Sequence, residues 1–191
     1  MKVWPLPIAY LVVVGGICAA IVTTQEPGPE EVRAVIRVTA FTSAVPFLLV
    51  FIASALHRLR RSMATRWLMA NRRYLGLSVA ASHFWHLIAI VALVRWYGSS
   101  GEPIPTTTLV FGGGGFVMLG LMAATSFDTA QRALGPAWGW LHTVGAYVLW
   151  IDFIFTYSGT ATIAPFHAVM TQVFALAWML RVVAFWSARG A

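Results

Sequence analysis

Three histidines lie within long apolar stretches, where an imidazole needs either a metal or a hydrogen-bond partner. His83 and His86 belong to SHFWHLIAIVALV, and His142 belongs to GWLHTVGAYVLW. Residues three apart on a helix project from the same face, so His83 and His86 face one region. Imidazoles between helices bind haem iron as axial ligands, or they hydrogen-bond to neighbouring helices. Spacing alone leaves both interpretations open, and it favours copper or zinc less, because no carboxylate or thiolate accompanies the histidines.

The composition indicates the environment in which these histidines lie. The chain has 191 residues, of which 59% are hydrophobic and 10% are charged, and its mean hydropathy is +0.77. Soluble domains are closer to one quarter charged. We therefore expect an all-α integral membrane protein whose surplus apolar residues contact the lipid bilayer. The single cysteine, Cys18, excludes a disulfide framework within the chain and a cysteine-based metal cluster.

Six apolar segments approach the length of about 20 residues that a membrane span requires. The predicted spans are residues 6–23, 35–56, 74–97, 107–126, 138–157 and 165–187. They predict a single domain, residues 1–191, folded as a six-helix bundle. A secretory signal is the alternative for the first span, because Lys2 precedes it, but Pro5 and Pro7 disfavour that interpretation.

The charge distribution predicts the orientation of the bundle. With six spans, most basic residues collect on one side and most acidic residues on the other, although Arg33, Arg37 and Arg95 fall near the acidic side. The basic set is Lys2, the cluster at 58–73, Arg132 and Arg189, and the acidic set is Glu26, Glu30, Glu31 and Glu102. The positive-inside rule then places both termini in the cytoplasm, in the inner (plasma) membrane of a bacterium. Because the densest group of basic residues lies beside predicted membrane spans, we expect no nucleic-acid binding.

Helix geometry predicts that the histidines share one depth. At a rise of about 1.5 Å per residue, His83 lies about 15 Å above Arg73 and His142 about 9 Å above Pro136. Spans three and five both begin at the cytoplasmic side. The two depths are similar enough for imidazoles from these two spans to ligate one metal centre, and hydrogen bonding between helices remains the alternative.

Two sequence blocks resemble the ferric reductase-like transmembrane domain family. The first, RRYLGLSVAASHFWHL, has the paired arginines, the L-G-L and the histidine–leucine of the third-span signature, which falls on His86. The second, AATSFDTAQRALGPAWGWLHTVGAYVLW, resembles spans four and five of the same family and puts its histidine at His142. In pattern, both are similar to the haem-binding membrane subunits of bacterial methionine sulfoxide reductase systems. Together the blocks cover roughly a third of the chain.

The resemblance implies one haem b between spans three and five, ligated by His142 and by His86 or His83. The signature favours His86, whereas similarity in depth favours His83. Family members with two haems have a further histidine 13 or 14 residues after the position of His142, where this chain has Phe155 and Thr156. That departure argues against a second haem. Arg72 and Arg73 mark the inner interface and are basic partners for haem propionates.

The function that follows is electron transfer across the membrane. We expect electrons to come from a separate donor, which is a cytoplasmic flavin, a reductase chain or a quinol, and to leave to a separate acceptor at the outer face. The alternative class is a non-redox six-span protein, such as an assembly factor or a small transporter, on the same scaffold.

Five further features have simpler interpretations. His57 and His167 are expected at the membrane interfaces, His167 being also a weak candidate for an outer ligand. Asp152 is expected to pair with Arg37 or Arg95, or else to relay a proton. Gly112–Gly115 is expected to allow close packing of a helix or of a flat ring. Trp85 is a candidate for the wall of a cofactor pocket.

Overall fold

A computed structural model of the protein describes residues 3–23, 28–98, 106–159 and 164–187, and this part of the chain is entirely helical. Its seven helices are α1 (Leu6–Thr23), α2 (Pro29–Leu59), α3 (Met63–Tyr97), α4 (Thr106–Ala124), α5 (Asp128–Leu134), α6 (Pro136–Ser158) and α7 (Pro165–Ser187). Four residues used to predict the orientation, Lys2, Glu26, Glu102 and Arg189, lie outside the described ranges.

Each of the six predicted spans corresponds to a helix. The largest differences are at the starts of α2 and α3, which begin at Pro29 and Met63 instead of at residues 35 and 74, and the short helix α5 is additional. The predicted spans leave residues 57–73, which contain the basic cluster, as a connection between spans two and three. In the structure only residues 60–62 separate α2 from α3. Ser62 caps α3, because its hydroxyl accepts a hydrogen bond from the Thr65 amide, and most of the basic segment is therefore the first turns of α3. The short helix α5 lies in the predicted connection between spans four and five.

Four of the described helices are long and apolar enough to cross a membrane, namely α1, α2, α3 and α7. In α4 the apolar part of the helix is shorter and covers Gly112–Ala124. The 35 residues of α3 extend for about 52 Å, whereas the hydrocarbon core is about 30 Å thick, so α3 reaches well beyond it. The chain is accordingly an all-helical, multi-pass membrane protein.

The hairpin of α2 and α3 is held together by small polar residues. Thr39, Ser43, Ser78 and Ser82 are fully buried, and side chains of this size let two helices approach closely. The Ser82 hydroxyl lies 2.8 Å from the Thr42 hydroxyl and 3.0 Å from the Thr39 carbonyl oxygen. Each hydroxyl thus finds a partner without water, as a bilayer requires.

Helix α1 docks onto this hairpin through two hydrogen bonds to backbone carbonyls. Pro46 in α2 has no N–H, which frees the Thr42 carbonyl one turn earlier. The Tyr10 hydroxyl on α1 donates to that carbonyl over 2.6 Å. On α3, the Trp85 indole N–H donates to the Leu11 carbonyl over 2.9 Å. The sequence of α2 therefore creates the acceptor that α1 uses.

The larger core lies between α2, α6 and α7 and is built from aromatic rings. Phe47, Phe51, Phe153, Phe174 and Tyr157 are all buried within one cluster. Ring centroids are 5.0 Å apart for Phe47 and Phe153, and 5.2 Å apart for Phe153 and Phe174. Such offset and tilted contacts contribute beyond the area that they bury.

One end of the bundle gathers most of the described basic residues, whereas Arg33, Arg37 and Arg95 lie towards the other end. The Val3 amide donates to the Asn71 side-chain oxygen over 2.9 Å, which brings the start of α1 next to the first half of α3. Arg73 on α3 forms an ion pair with Asp128 at the start of α5. We call this end, where α2 and α7 finish and α3 and α6 begin, the basic end.

Candidate functional site

His83 and His86 form a pair on α3, with their ring centroids 5.5 Å apart. Both rings lie against Phe116 of α4, at 5.5 Å from His83 and 6.0 Å from His86. His83 also packs edge-on against Phe153 of α6, at 5.7 Å between centroids. The predicted common face therefore exists, and it points into the bundle among α2, α4 and α6.

The hydrogen bonds of His86 fix which of its nitrogens carries the proton. Nδ1 lies 2.8 Å from the Thr39 hydroxyl and 3.1 Å from the Ile36 carbonyl oxygen. The Thr39 hydroxyl donates its own proton to the Val35 carbonyl over 2.7 Å, so it accepts from His86. The Nδ1–H of His86 thus donates to α2, and the lone pair lies on Nε2, as in histidines whose second nitrogen is oriented to bind a metal.

His83 is less well satisfied than His86. Its Nδ1 is buried and has no hydrogen-bond partner of good geometry among the described residues. Buried polar atoms in native proteins are nearly always paired, so an orphan nitrogen at this position calls for a ligand or a water molecule. Nevertheless, the described residues bring together no group of three or more His, Cys, Asp or Glu that could hold a metal ion.

His142 occupies different surroundings, at the start of α6. Its ring stacks on Trp138 with 4.1 Å between centroids, and its Nε2 lies 3.2 Å from the Thr125 hydroxyl at the end of α4. Thr125 donates to the Leu121 carbonyl over 2.7 Å and therefore accepts from the Nε2–H of His142. The lone pair of His142 is left on Nδ1, which has no partner among the described residues.

A cavity of about 590 Å³ lies beside His142 at the basic end of the bundle. Its polar lining includes Arg72, Arg73, Arg181, Asp128, Gln131 and Ser126, and its apolar lining includes Leu119, Met122, Leu149, Val79, Phe47 and Trp138. A volume of this order is typical of sites for cofactor-sized ligands. The cavity joins an apolar floor to a basic rim, which suits a ligand with an apolar body and anionic groups.

The basic rim carries an excess of positive charge. Arg72 acts electrostatically on both Arg181 and His142, and all three line the cavity. Arg73 forms its ion pair with Asp128. No salt bridge to a carboxylate is formed by Arg72 or Arg181 among the residues that the structure describes. An anion in the cavity would relieve this repulsion.

The histidines of α3 and α6 do not lie at the same depth. His83 contacts Phe153, which follows His142 by eleven residues on α6, a rise of about 16 Å along the helix. Two axial imidazoles on one iron must approach to about 4 Å between their nitrogens, since each metal–nitrogen bond is about 2 Å long. The expected similarity in depth therefore does not hold, and the residues do not fit a single haem ligated by His142 together with His83 or His86.

The cavity does fit a haem that is held through one imidazole. His142, whose Nδ1 has no hydrogen-bond partner among the described residues, lines the cavity, and so do Arg72 and Arg73, which the family resemblance implies as partners for propionates. Neither His83 nor His86 lines this cavity. The predicted site residues thus form two separate groups, a histidine pair within the bundle and a basic cavity at its end.

Two of the remaining candidates, His57 and Trp85, join helices, and His167 keeps a buried nitrogen without a partner in the described chain. His57 Nδ1 lies 3.2 Å from the Thr65 hydroxyl and links α2 to α3. His167 packs on Tyr157 with 5.6 Å between ring centroids, and its Nδ1 is buried without a partner in the described chain. Trp85, a candidate for a cofactor wall, packs between α1 and α3 and does not line the cavity.

Asp152 and the glycine run meet each other. A Cβ at Gly115 would lie 2.9 Å from Oδ2 of Asp152, whereas Gly112, Gly113 and Gly114 have no such close neighbour. Close packing is therefore confined to Gly115. No ion pair joins Asp152 to Arg37 or Arg95 among the described residues, so the predicted pairing is not formed.

Sequence reasoning missed three residues that shape these sites. Thr39 and Thr125 orient His86 and His142, and Arg181 brings a third guanidinium to the cavity rim. Arg181 interrupts an otherwise apolar span, and this signal could have found it. The two threonines gave no signal, because threonine is ordinary in membrane helices.

Comparisons with known proteins neither support nor contradict the family resemblance. The chain matches no model of a protein family, no curated protein and no solved structure. Any assignment of function consequently rests on the geometry of the cavity and on the sequence motifs.

Proposed function

We propose that this chain is a membrane protein of the ferric reductase-like class that binds one haem b in the cavity at its basic end. The observation that carries the proposal is His142 Nδ1, an unpartnered imidazole nitrogen beside a cavity of about 590 Å³ that Arg72 and Arg73 also line. When bound, haem would supply a one-electron redox centre for transfer across the membrane.

The residues around His142 have separable tasks in this proposal. Thr125 accepts the Nε2–H and so keeps the lone pair on Nδ1, and Trp138 stacks on the ring and fixes its plane. Arg72 and Arg73 bind the anionic groups of the ligand by charge-assisted hydrogen bonds. Leu119 and Leu149 line the apolar side of the cavity and keep water away from it.

We further propose that α1, α2, α3, α4, α6 and α7 all cross the membrane, with α5 at the cytoplasmic surface and both termini in the cytoplasm of a bacterium. The hydrogen bond from Val3 to Asn71 supports this orientation, because it joins the start of α1 to the basic end. Under the positive-inside rule the basic end faces the cytoplasm.

The position of the cavity bears on the partners. A donor that meets the protein at its basic end, whether a flavin, a reductase chain or a quinol, would be close to the cavity. The acceptor at the outer face would be a separate molecule. His83 and His86 lie between the cavity and that face, and they provide polar groups within an otherwise apolar path.

The test is the absorption spectrum of the detergent-purified protein supplied with haem. We expect a Soret band that His142→Ala abolishes and that His57→Ala, the matched control at the same end of the bundle, leaves unchanged. His83→Ala and His86→Ala should retain the band, because neither residue lines the cavity. Full haem binding by the His142→Ala protein would refute the assignment of the ligand.

The second candidate is a non-redox membrane protein, and the threonine partners favour it. His86 and His142 are each hydrogen-bonded to a neighbouring helix, at 2.8 Å and 3.2 Å, as polar residues that join membrane helices are. Absence of a Soret band in the wild-type protein after haem is added would support this candidate and exclude the first.

A further inference from the structure

A second, smaller cavity of about 170 Å³ lies in the groove between α2, α6 and α7. Its lining is Ser54, Ala55, Arg58, Tyr147, Arg181, Ala184 and Phe185. Two of these residues are arginines, and no acidic residue is among them. The charge of this cavity is therefore positive and uncompensated by its own walls.

Arg181 is fixed in the groove by contacts that leave part of its guanidinium unused. Its Nη1 donates to the Phe51 carbonyl over 2.5 Å, and its Nε lies 3.3 Å from the Tyr147 hydroxyl. The guanidinium also stacks over the rings of Phe51 and Tyr147, at 4.5 Å and 5.0 Å from their centroids. These contacts hold the planar group in one orientation without occupying Nη2, so its remaining donors are preorganised for an anion.

Arg58 provides the second positive charge from α2. It lies one turn after Ser54, so both side chains belong to the face of α2 that lines the cavity. Arg58 is exposed and forms no ion pair with any described residue. A guanidinium that is free to move and one that is fixed together match the oxygen atoms of a phosphate group.

The position of Arg58 and Arg181 in the bundle indicates which class of phosphate-bearing ligand the cavity binds. Arg58 is the second-last residue of α2, and Arg181 precedes the end of α7 by six residues, or about 9 Å. With the basic end at the cytoplasmic surface, as proposed above, the two arginines lie at the depth of the lipid headgroups. Phe185 is 44% exposed at the same cavity, so an apolar surface that acyl chains can cover adjoins the two arginines.

We propose that this groove binds the headgroup of an anionic phospholipid, with the phosphate between Arg58 and Arg181 and an acyl chain along Phe185. Basic pockets between membrane helices on the cytoplasmic side are suited to such headgroups. The site is distinct from the cavity of His142, although Ser54 and Arg181 line both. It requires no haem.

The experiment is a titration of the detergent-purified full chain with short-chain phosphatidylglycerol, followed by native mass spectrometry. Short-chain phosphatidylcholine and inorganic phosphate are titrated in parallel. We expect phosphatidylglycerol to bind at least about fivefold more tightly than phosphatidylcholine, since one basic residue near a lipid surface contributes roughly that factor. Equal binding of the two lipids would overturn the proposal, and binding of inorganic phosphate as tight as that of phosphatidylglycerol would overturn its assignment to a lipid.

Two variants test the residues. Arg58→Gln should weaken phosphatidylglycerol binding about fivefold, whereas Arg61→Gln, an exposed arginine at the same end that does not line the groove, should leave it unchanged. Equal effects of the two substitutions would mean that the arginines act only through general surface charge, and would refute the site. Arg58 is exposed and outside the core, so its replacement leaves the fold intact, and thermal unfolding of the lipid-free variant checks this.

Discussion

Replacing Gly15 with alanine should separate α1 from the histidine-bearing helix α3. A Cβ at Gly15 would lie 2.6 Å from Cζ2 and 2.8 Å from Cε2 of Trp85, distances that real Cβ atoms do not adopt. The indole is a rigid ring, and its N–H is engaged with the Leu11 carbonyl over 2.9 Å. The ring therefore cannot turn aside without breaking that bond or moving the helix.

The expected cost follows from three contributions. Overpacking costs about 1–3 kcal/mol, loss of the indole hydrogen bond costs about 1 kcal/mol, and alanine returns about 1 kcal/mol through its higher helix propensity. The net destabilisation is thus about 1–3 kcal/mol. Gly16→Ala provides the matched control, because a Cβ at Gly16 has no neighbour within 4 Å. That change should be neutral or should stabilise the protein by up to about 1 kcal/mol.

The assay is equilibrium unfolding of both variants in mixed detergent micelles, with tryptophan fluorescence reporting the surroundings of the indoles. Gly15→Ala should unfold at lower denaturant than the wild type, and Gly16→Ala should not. Equal stability of the two variants would refute the reasoning, since it would mean that α1 does not pack against Trp85 at this distance.

Three further outcomes are expected. Thr39→Val removes a hydroxyl that accepts from His86 and should cost about 1–2 kcal/mol in the same unfolding assay, and a neutral result would contradict the hydrogen bond between Thr39 and His86. Arg73→Gln breaks the ion pair with Asp128, whose two side chains are 36% and 66% exposed. The loss in free energy of unfolding should therefore stay below about 1 kcal/mol. A larger loss would show that the ion pair is shielded from water. Asp152→Asn should be neutral or stabilising, because no ion pair is lost; a loss of about 3–5 kcal/mol would instead indicate a buried ion pair, as the sequence predicted.

Much of the helical architecture could be predicted from the sequence, because apolar runs of span length with breakers between them constrain the chain strongly. The first turns of α3 were misassigned to a loop, since clustered arginines in a membrane protein signal the interface whether or not the backbone there is helical. The helix α5 escaped prediction because a segment of seven residues carries too few turns for a clear periodic pattern.

The residues of the candidate site could be predicted from the sequence, but their grouping could not. His83, His86 and His142 stand out in the sequence because imidazoles are costly in hydrocarbon, and Arg72 and Arg73 stand out through their clustering. Their grouping could not be predicted, because it depends on how far α6 is displaced along α3. Helix rise fixes depths within one helix only, and the offset between helices follows from side-chain packing such as that of Phe153 against His83.

The sequence by itself determined that this protein is helical, lies in a membrane and carries three imidazoles within apolar helices, because composition and periodicity dictate where apolar residues must go. Only the tertiary structure decided that His83 and His86 form one group while His142 joins Arg72, Arg73 and Arg181 around a cavity. Contacts between helices are properties of packed surfaces, and residues far apart in the chain decide them jointly. The role of the histidine pair on α3 and the role of the cavity at His142 are therefore separate problems.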